Sequence, residues 1–162
     1  MRIIILFLAS VLTIDSSGQS NFANQVKSIF EDATNDFLKY TGTQKPSFNT
    51  SSAYYNTTII IDGTTDNNIF KDQSGYVIYT ALINDWVSKK EAKKIVDEYK
   101  KKLKDNFWPF KQQKGKKFSG ALSDVLSENY IFERNNTTLA ISIVSSGDNK
   151  NCIVTLHISH YP

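Results

Sequence analysis

The chain predicts an α+β fold, two amphipathic helices packed on one face of a mostly antiparallel sheet of about five or six strands. Three observations lead there. Residues 21–40 and 88–107 carry apolar side chains at steps of three and four, the period of a helix with one buried face. Residues 55–62, 76–83, 129–134, 138–144 and 152–159 are strand-length runs rich in β-branched and aromatic residues. The links between neighbouring strand runs are too short for the crossovers that parallel pairing needs, so the sheet should be antiparallel.

The chain opens with Arg2, an apolar run over residues 3–14 and the small residues Ser16, Ser17 and Gly18. That is the three-part pattern of a secretory signal, with cleavage expected before Gln19. About a dozen apolar residues fall short of the roughly 20 that span a bilayer, which favours a cleaved signal over an anchor. The expectation is therefore a signal peptide over 1–18, a single α+β domain over 19–162 without an integral membrane span, and a secreted or periplasmic destination. The bias toward Asn, Lys, Ile and Thr favours a bacterial origin, and it makes sequons such as Asn49-Thr50-Ser51, Asn56-Thr57-Thr58 and Asn136-Thr137-Thr138 common by chance.

In the first helix, Phe22, Val26, Ile29, Phe30, Ala33, Phe37 and Tyr40 form one face, and Gly42 followed by Pro46 marks its end. Residues 43–52 read as a polar connection. The strands 55–62 and 76–83 flank a long polar segment, 63–75, with turn signals at Asp62-Gly63 and Ser74-Gly75. It reads as a long hairpin loop or a loop carrying one extra short strand.

Ser88 is the expected N-cap of the second helix, with Glu91 three residues on as capping-box partner. Ala92, Ile95, Val96, Tyr99, Leu103 and Phe107 form its buried stripe, and Pro109 stops it. After a Lys-rich connection, residues 118–126 fit helix or strand equally. The last three strands are joined by turns at Asn135-Asn136 and residues 146–149. Both halves thus run helix, link, strands, and Asn56-Thr57-Thr58-Ile59 recurs as Asn136-Thr137-Thr138-Leu139. The pattern admits a tandem pseudo-repeat, and short matches of this kind are also common in biased composition.

The sole cysteine, Cys152, opens an apolar run and is expected to be a buried small hydrophobe, so packing alone must hold the domain. His157 and His160, three apart on a strand, point to opposite faces and cannot share a metal. Glycine motifs for phosphate binding and a nucleophile-elbow serine are absent from the sequence. Asp62, Asp66, Asp72 and Glu133 sit near loops, but nothing in the linear order brings any two together. No cofactor, metal or catalytic residue is assigned, and an enzyme is the less favoured reading.

The strongest electrostatic feature is segment 89–117, with twelve lysines against the acids Glu91, Asp97, Glu98 and Asp105. The chain as a whole carries only +3, so the charge is polarised. Lys93, Lys94, Lys100, Lys101, Lys104, Trp108, Lys111, Lys114, Lys116 and Lys117 form the candidate anionic-surface set. Lysine rather than arginine dominates it, which argues against sequence-specific nucleic-acid recognition. Phe107, Trp108 and Phe110 around Pro109 are expected to close the end of the core, and Trp86 to lie in the core or in a hydrophobic staple.

The class these features favour is a non-catalytic exported module that binds an unidentified macromolecule of the envelope or exterior through its sheet face, long loop or basic helix. An adaptor for anionic polymer or lipid headgroups comes second. A hydrolase of unrecognised class comes third.

Overall fold

The computed structural model describes residues 17–46, 52–114, 126–145 and 151–161. Its elements run α1 (Ser17–Asp32), two 3₁₀ turns (Ala33–Asn35 and Leu38–Tyr40), β1 (Thr41–Lys45), β2 (Ser52–Thr57), β3 (Thr65–Asp72) and β4 (Val77–Val87). Then come α2 (Lys89–Leu103), β5 (Lys111–Lys114), β6 (Leu126–Arg134), β7 (Thr137–Ser145) and β8 (Cys152–His160). All the strands join one antiparallel sheet of eight, in the order β1-β2-β3-β4-β8-β7-β6-β5.

This overturns the arrangement of two helices on a sheet of five or six strands. The strands missed are β1 and β5, and β3 is the extra strand left as an alternative in segment 63–75; the sequences TGTQK, TDNNIFKD and KQQK lack the alternating apolar residues that signal a half-buried strand. Backbone pairing to β2, β4 and β6 makes them strands. β1 and β5 are the sheet edges, where polar and Lys-containing sequences discourage pairing with another chain. The order of one helix then four strands occurs twice, and the two sets meet where β4 pairs with β8.

The first helix also ends sooner than its apolar spacing suggested. Asp36 and Phe37 adopt left-handed φ of 55° and 56°, which breaks the helix, while Ala33, Phe37 and Tyr40 stay buried through the 3₁₀ turns. The Asp32 carboxylate accepts from the Lys39 N–H at 3.1 Å and fastens this reversal. Likewise β2 stops at Thr57 rather than residue 62, and the chain crosses so that Ile61 is buried. Asn67 holds that crossing: its Oδ1 accepts from the Tyr79 hydroxyl at 2.8 Å and from the Ile61 N–H at 3.2 Å.

α2 starts as its cap predicts, with Ser88 Oγ accepting from the Glu91 N–H. Both helices bury their apolar faces with Val77, Tyr79 and Ala81 of β4, Leu139, Ile141 and Ile143 of β7, and Val154, Leu156 and Ile158 of β8. Edge-to-face rings join the halves, Phe22 to Tyr99 at 4.9 Å and Phe30 to Phe107 at 5.1 Å, with Phe132 of β6 completing the cluster. Cys152 lies in this core, where burial pushes its thiol pKa up. No helix among the described residues is long and apolar enough to cross a membrane. The predicted signal residues 1–16, the 118–125 segment, the 146–149 turn and the Asn49 sequon lie outside the described residues.

Candidate functional site

The basic segment divides once its side chains are placed. Lys89 and Lys93 approach Glu128 of β6 at 3.0 and 4.0 Å. Lys100 pairs with Asp97 at 3.2 Å and lies 4.8 Å from the centre of the Tyr130 ring, while Lys102 covers Tyr99 at 4.5 Å. These lysines serve the fold. Lys90, Lys94, Lys101 and Lys104 are exposed and make no ion pair among the described residues. At 100° per residue they fall within about 80° of one another, a stripe about 21 Å long opposite the buried face. Lys111 is exposed on the edge strand β5, Lys114 ends that strand, and Lys116 and Lys117 lie outside the described residues.

The aromatic knot splits. Phe107 is fully buried and Phe110 packs beside it, but Trp108 is 58% exposed, so it does not close the core. Trp86 is 72% exposed, neither core nor staple, because the β4 register shifts near its end and Trp86 takes a left-handed φ of 54°.

The other face of the sheet, which neither helix covers, carries a feature sequence reading missed. Cross-strand register places Lys45, Tyr54, Phe70, Ile78, Ser159, Thr138 and Glu133 in one row across seven strands, from β1 to β6. At about 4.8 Å per strand the row is about 29 Å long. Tyr54 and Phe70 pack with ring centres 5.1 Å apart. Beside them Tyr76 and Tyr161 pair at 4.9 Å, their planes 31° apart. Burial, more than anything else, pushes the Tyr76 hydroxyl up to about 12. The visible signal was two-sided apolarity: Ile78 alternates with Val77 and Tyr79 of β4 and points the opposite way, and Tyr76 stands just before the strand.

The row ends in a shallow depression of about 370 Å³, lined by Glu133, Arg134, Asn135, Asn136, Thr138 and Tyr161. Asn135 and Asn136 form the two-residue β6–β7 turn with left-handed φ of 52° and 59°, the geometry that asparagine tolerates best after glycine. The Tyr161 N–H donates to the Asn136 carbonyl at 3.0 Å, and the Arg134 guanidinium lies 5.2 Å from the Phe30 ring centre.

Nearer the middle of this face the side chains are short and polar. Asn129, Ser142 and Thr155 are successive cross-strand neighbours, and Asn129 Oδ1 and Ser142 Oγ are buried without a hydrogen-bond partner among the described residues. His157 lies between Thr80 and Ala140, with Nε2 2.7 Å from Thr155 Oγ1, and burial pushes its pKa down to about 4. His160 points to the opposite face, 3.0 Å from Thr137 Oγ1 through Nδ1.

The four carboxylates singled out in the sequence stay apart in role. Asp62 bonds Asn21 and Gln25 of α1. Asp72 shapes the β3–β4 turn, and hydrogen bonds led by the Ser74 side chain hold its carboxyl below the usual range. Asp66 is exposed in β3, and Glu133 alone reaches the depression. No protein-family model, curated protein or solved structure matches the chain.

Proposed function

We propose that this protein is an exported, non-catalytic binding module whose helix-free sheet face receives another macromolecule. The observation that carries the reading is the row Tyr54, Phe70 and Ile78 beside the Tyr76–Tyr161 pair, a contiguous apolar surface with polar margins. Tyrosine-rich surfaces bind at low entropic cost, because large rings with few torsions supply contact area and hydroxyls supply hydrogen bonds. A secretory signal over 1–18 accounts for delivery to the envelope or exterior.

A double variant, Tyr54→Ala with Phe70→Ala, tests this. Tagged protein is incubated with envelope and secreted fractions of the source organism and washed at low and then high salt. Loss in the variant of a partner that wild type retains through high salt supports the reading. Equal retention by both sinks it.

A second reading rests on the stripe of Lys90, Lys94, Lys101 and Lys104, which suits an anionic polymer or lipid surface on the other side of the molecule. Its mark is binding that falls steeply with salt. Charge reversal at Lys94 and Lys101 should abolish retention on vesicles rich in anionic lipid, and unchanged retention removes the reading.

A further inference from the structure

We propose that the depression at the β6–β7 turn binds an uncharged oligosaccharide, with the Tyr161 ring as stacking platform and Glu133, Asn136 and Thr138 as hydrogen-bond partners for its hydroxyls. This rests on the sheet-face reading and names the ligand of that face.

The lining has one large apolar surface, the Tyr161 ring at 57% exposure, with a carboxylate, two amides and a hydroxyl around it, while the Arg134 guanidinium is turned onto Phe30 and Phe132. Planar carboxylate and amide groups each offer two polar positions on a rigid plane, which suits adjacent hydroxyls on a sugar ring. The aliphatic side of the same ring can lie on an aromatic face. A few polar groups converging beside an apolar surface is the usual composition of a small-ligand site.

The parts are held before any ligand arrives. Tyr161 is tied to Asn136 through the backbone and packed on Tyr76, Asn136 sits in a two-residue turn, and Arg134 is stacked over Phe30 and Phe132. Such pre-organisation lowers the ordering cost of binding.

Charge and backbone pairing select among ligand classes. With Arg134 drawn over Phe30 and Phe132, Glu133 is the charge left in the depression among the described residues, and it repels polyanions. Along the row the next charge is Lys45, whose amine bonds Asn68. A nucleic acid or acidic polysaccharide needs clustered cations, and among the described residues Lys45 and Lys111 stand apart at the two ends of this face. A peptide adding a strand needs a long unpaired ladder, whereas β7 is paired on both sides. β6 is paired with β7 throughout and with β5 over residues 128–131, so that at the depression its last three residues lack a second strand among the described residues.

The test uses protein expressed from its full sequence, with neutral β-glucan, mannan, galactan and starch in affinity gels and the matching hexasaccharides in calorimetry. Retardation by at least one neutral glycan, insensitive to salt, is the expected result. Tyr161→Ala should weaken it about tenfold or more, on the scale of a lost stacking contact. Asn136→Gly should weaken it several-fold, because glycine keeps the left-handed turn while the amide is lost. Melting curves close to wild type for both variants separate a lost contact from lost folding.

No retardation by any of these glycans overturns the proposal, as does retardation that both variants leave unchanged. If no glycan binds while Tyr54→Ala with Phe70→Ala still abolishes capture of a macromolecule, the sugar assignment falls and the sheet-face module stands. If that double variant retains everything, both fall.

Discussion

At the scale of single residues, the helix-free face holds two groups whose burial should be measurable. Ser142 Oγ is fully buried without a partner among the described residues, and an unmade buried hydrogen bond costs about 1–3 kcal/mol. Ser142→Ala should therefore be neutral or stabilising by about 1 kcal/mol in thermal melting, and a marked drop in Tm would mean that the hydroxyl is bonded. His157 is the second. Its folded pKa of about 4 lies below the unfolded value of 6.5, so below pH 6.5 the unfolded chain takes the proton first. Stability should fall as pH drops from about 6.5 to about 4 and level off below that, by up to ~3 kcal/mol from this group. Urea midpoints of His157→Gln across that window should slope less than wild type. Parallel slopes would show that carboxylates alone set the acid limit.

At the scale of elements, what was legible followed burial. α2, β4, β7 and β8 announce themselves because each has a buried face with the proper period, and the Ser88 cap and the Asn135-Asn136 turn depend on local chemistry alone. The edges β1 and β5 do not, since strand identity there comes from a partner and not from side chains. β3 was legible only as an alternative: Ile69 and Phe70 admitted a short strand, but Asn67 and Asn68 are poor strand formers, and it is the tertiary bonds from Tyr79 and Ile61 to Asn67 that offset them. The aromatic row was invisible in linear order, because its members come from separate strands and meet only through register. The basic segment was legible as charge, but not the division between lysines that serve the fold and those that stay free. At the start of α2, Ser88→Ala should cost about 1 kcal/mol in chemical denaturation, while Ser88→Asp should keep the cap. Equal loss in both would show that the hydroxyl has a role other than capping.

At the scale of the whole molecule, two sets of one helix and four strands share a single core. Neither set buries its apolar face alone: α1 packs on α2 through Phe22–Tyr99 and on the turn that follows α2 through Phe30–Phe107, and the sheet is continuous across β4 and β8. A shared core of this kind should unfold as one cooperative unit, as most single domains of this size do. The two tryptophans report on it conveniently, since Trp86 lies at the end of the first set and Trp108 in the second, both at the surface. Single-tryptophan variants Trp86→Phe and Trp108→Phe should give coincident urea midpoints by fluorescence, matching circular dichroism. Phe107→Ala, which empties the ring cluster between the sets, should lower both midpoints together by about 3–5 kcal/mol of stability. If the Trp108 signal moved while the Trp86 signal stayed, the second set would be unfolding alone, and the packing of Phe30 on Phe107 would not couple the two as this core requires.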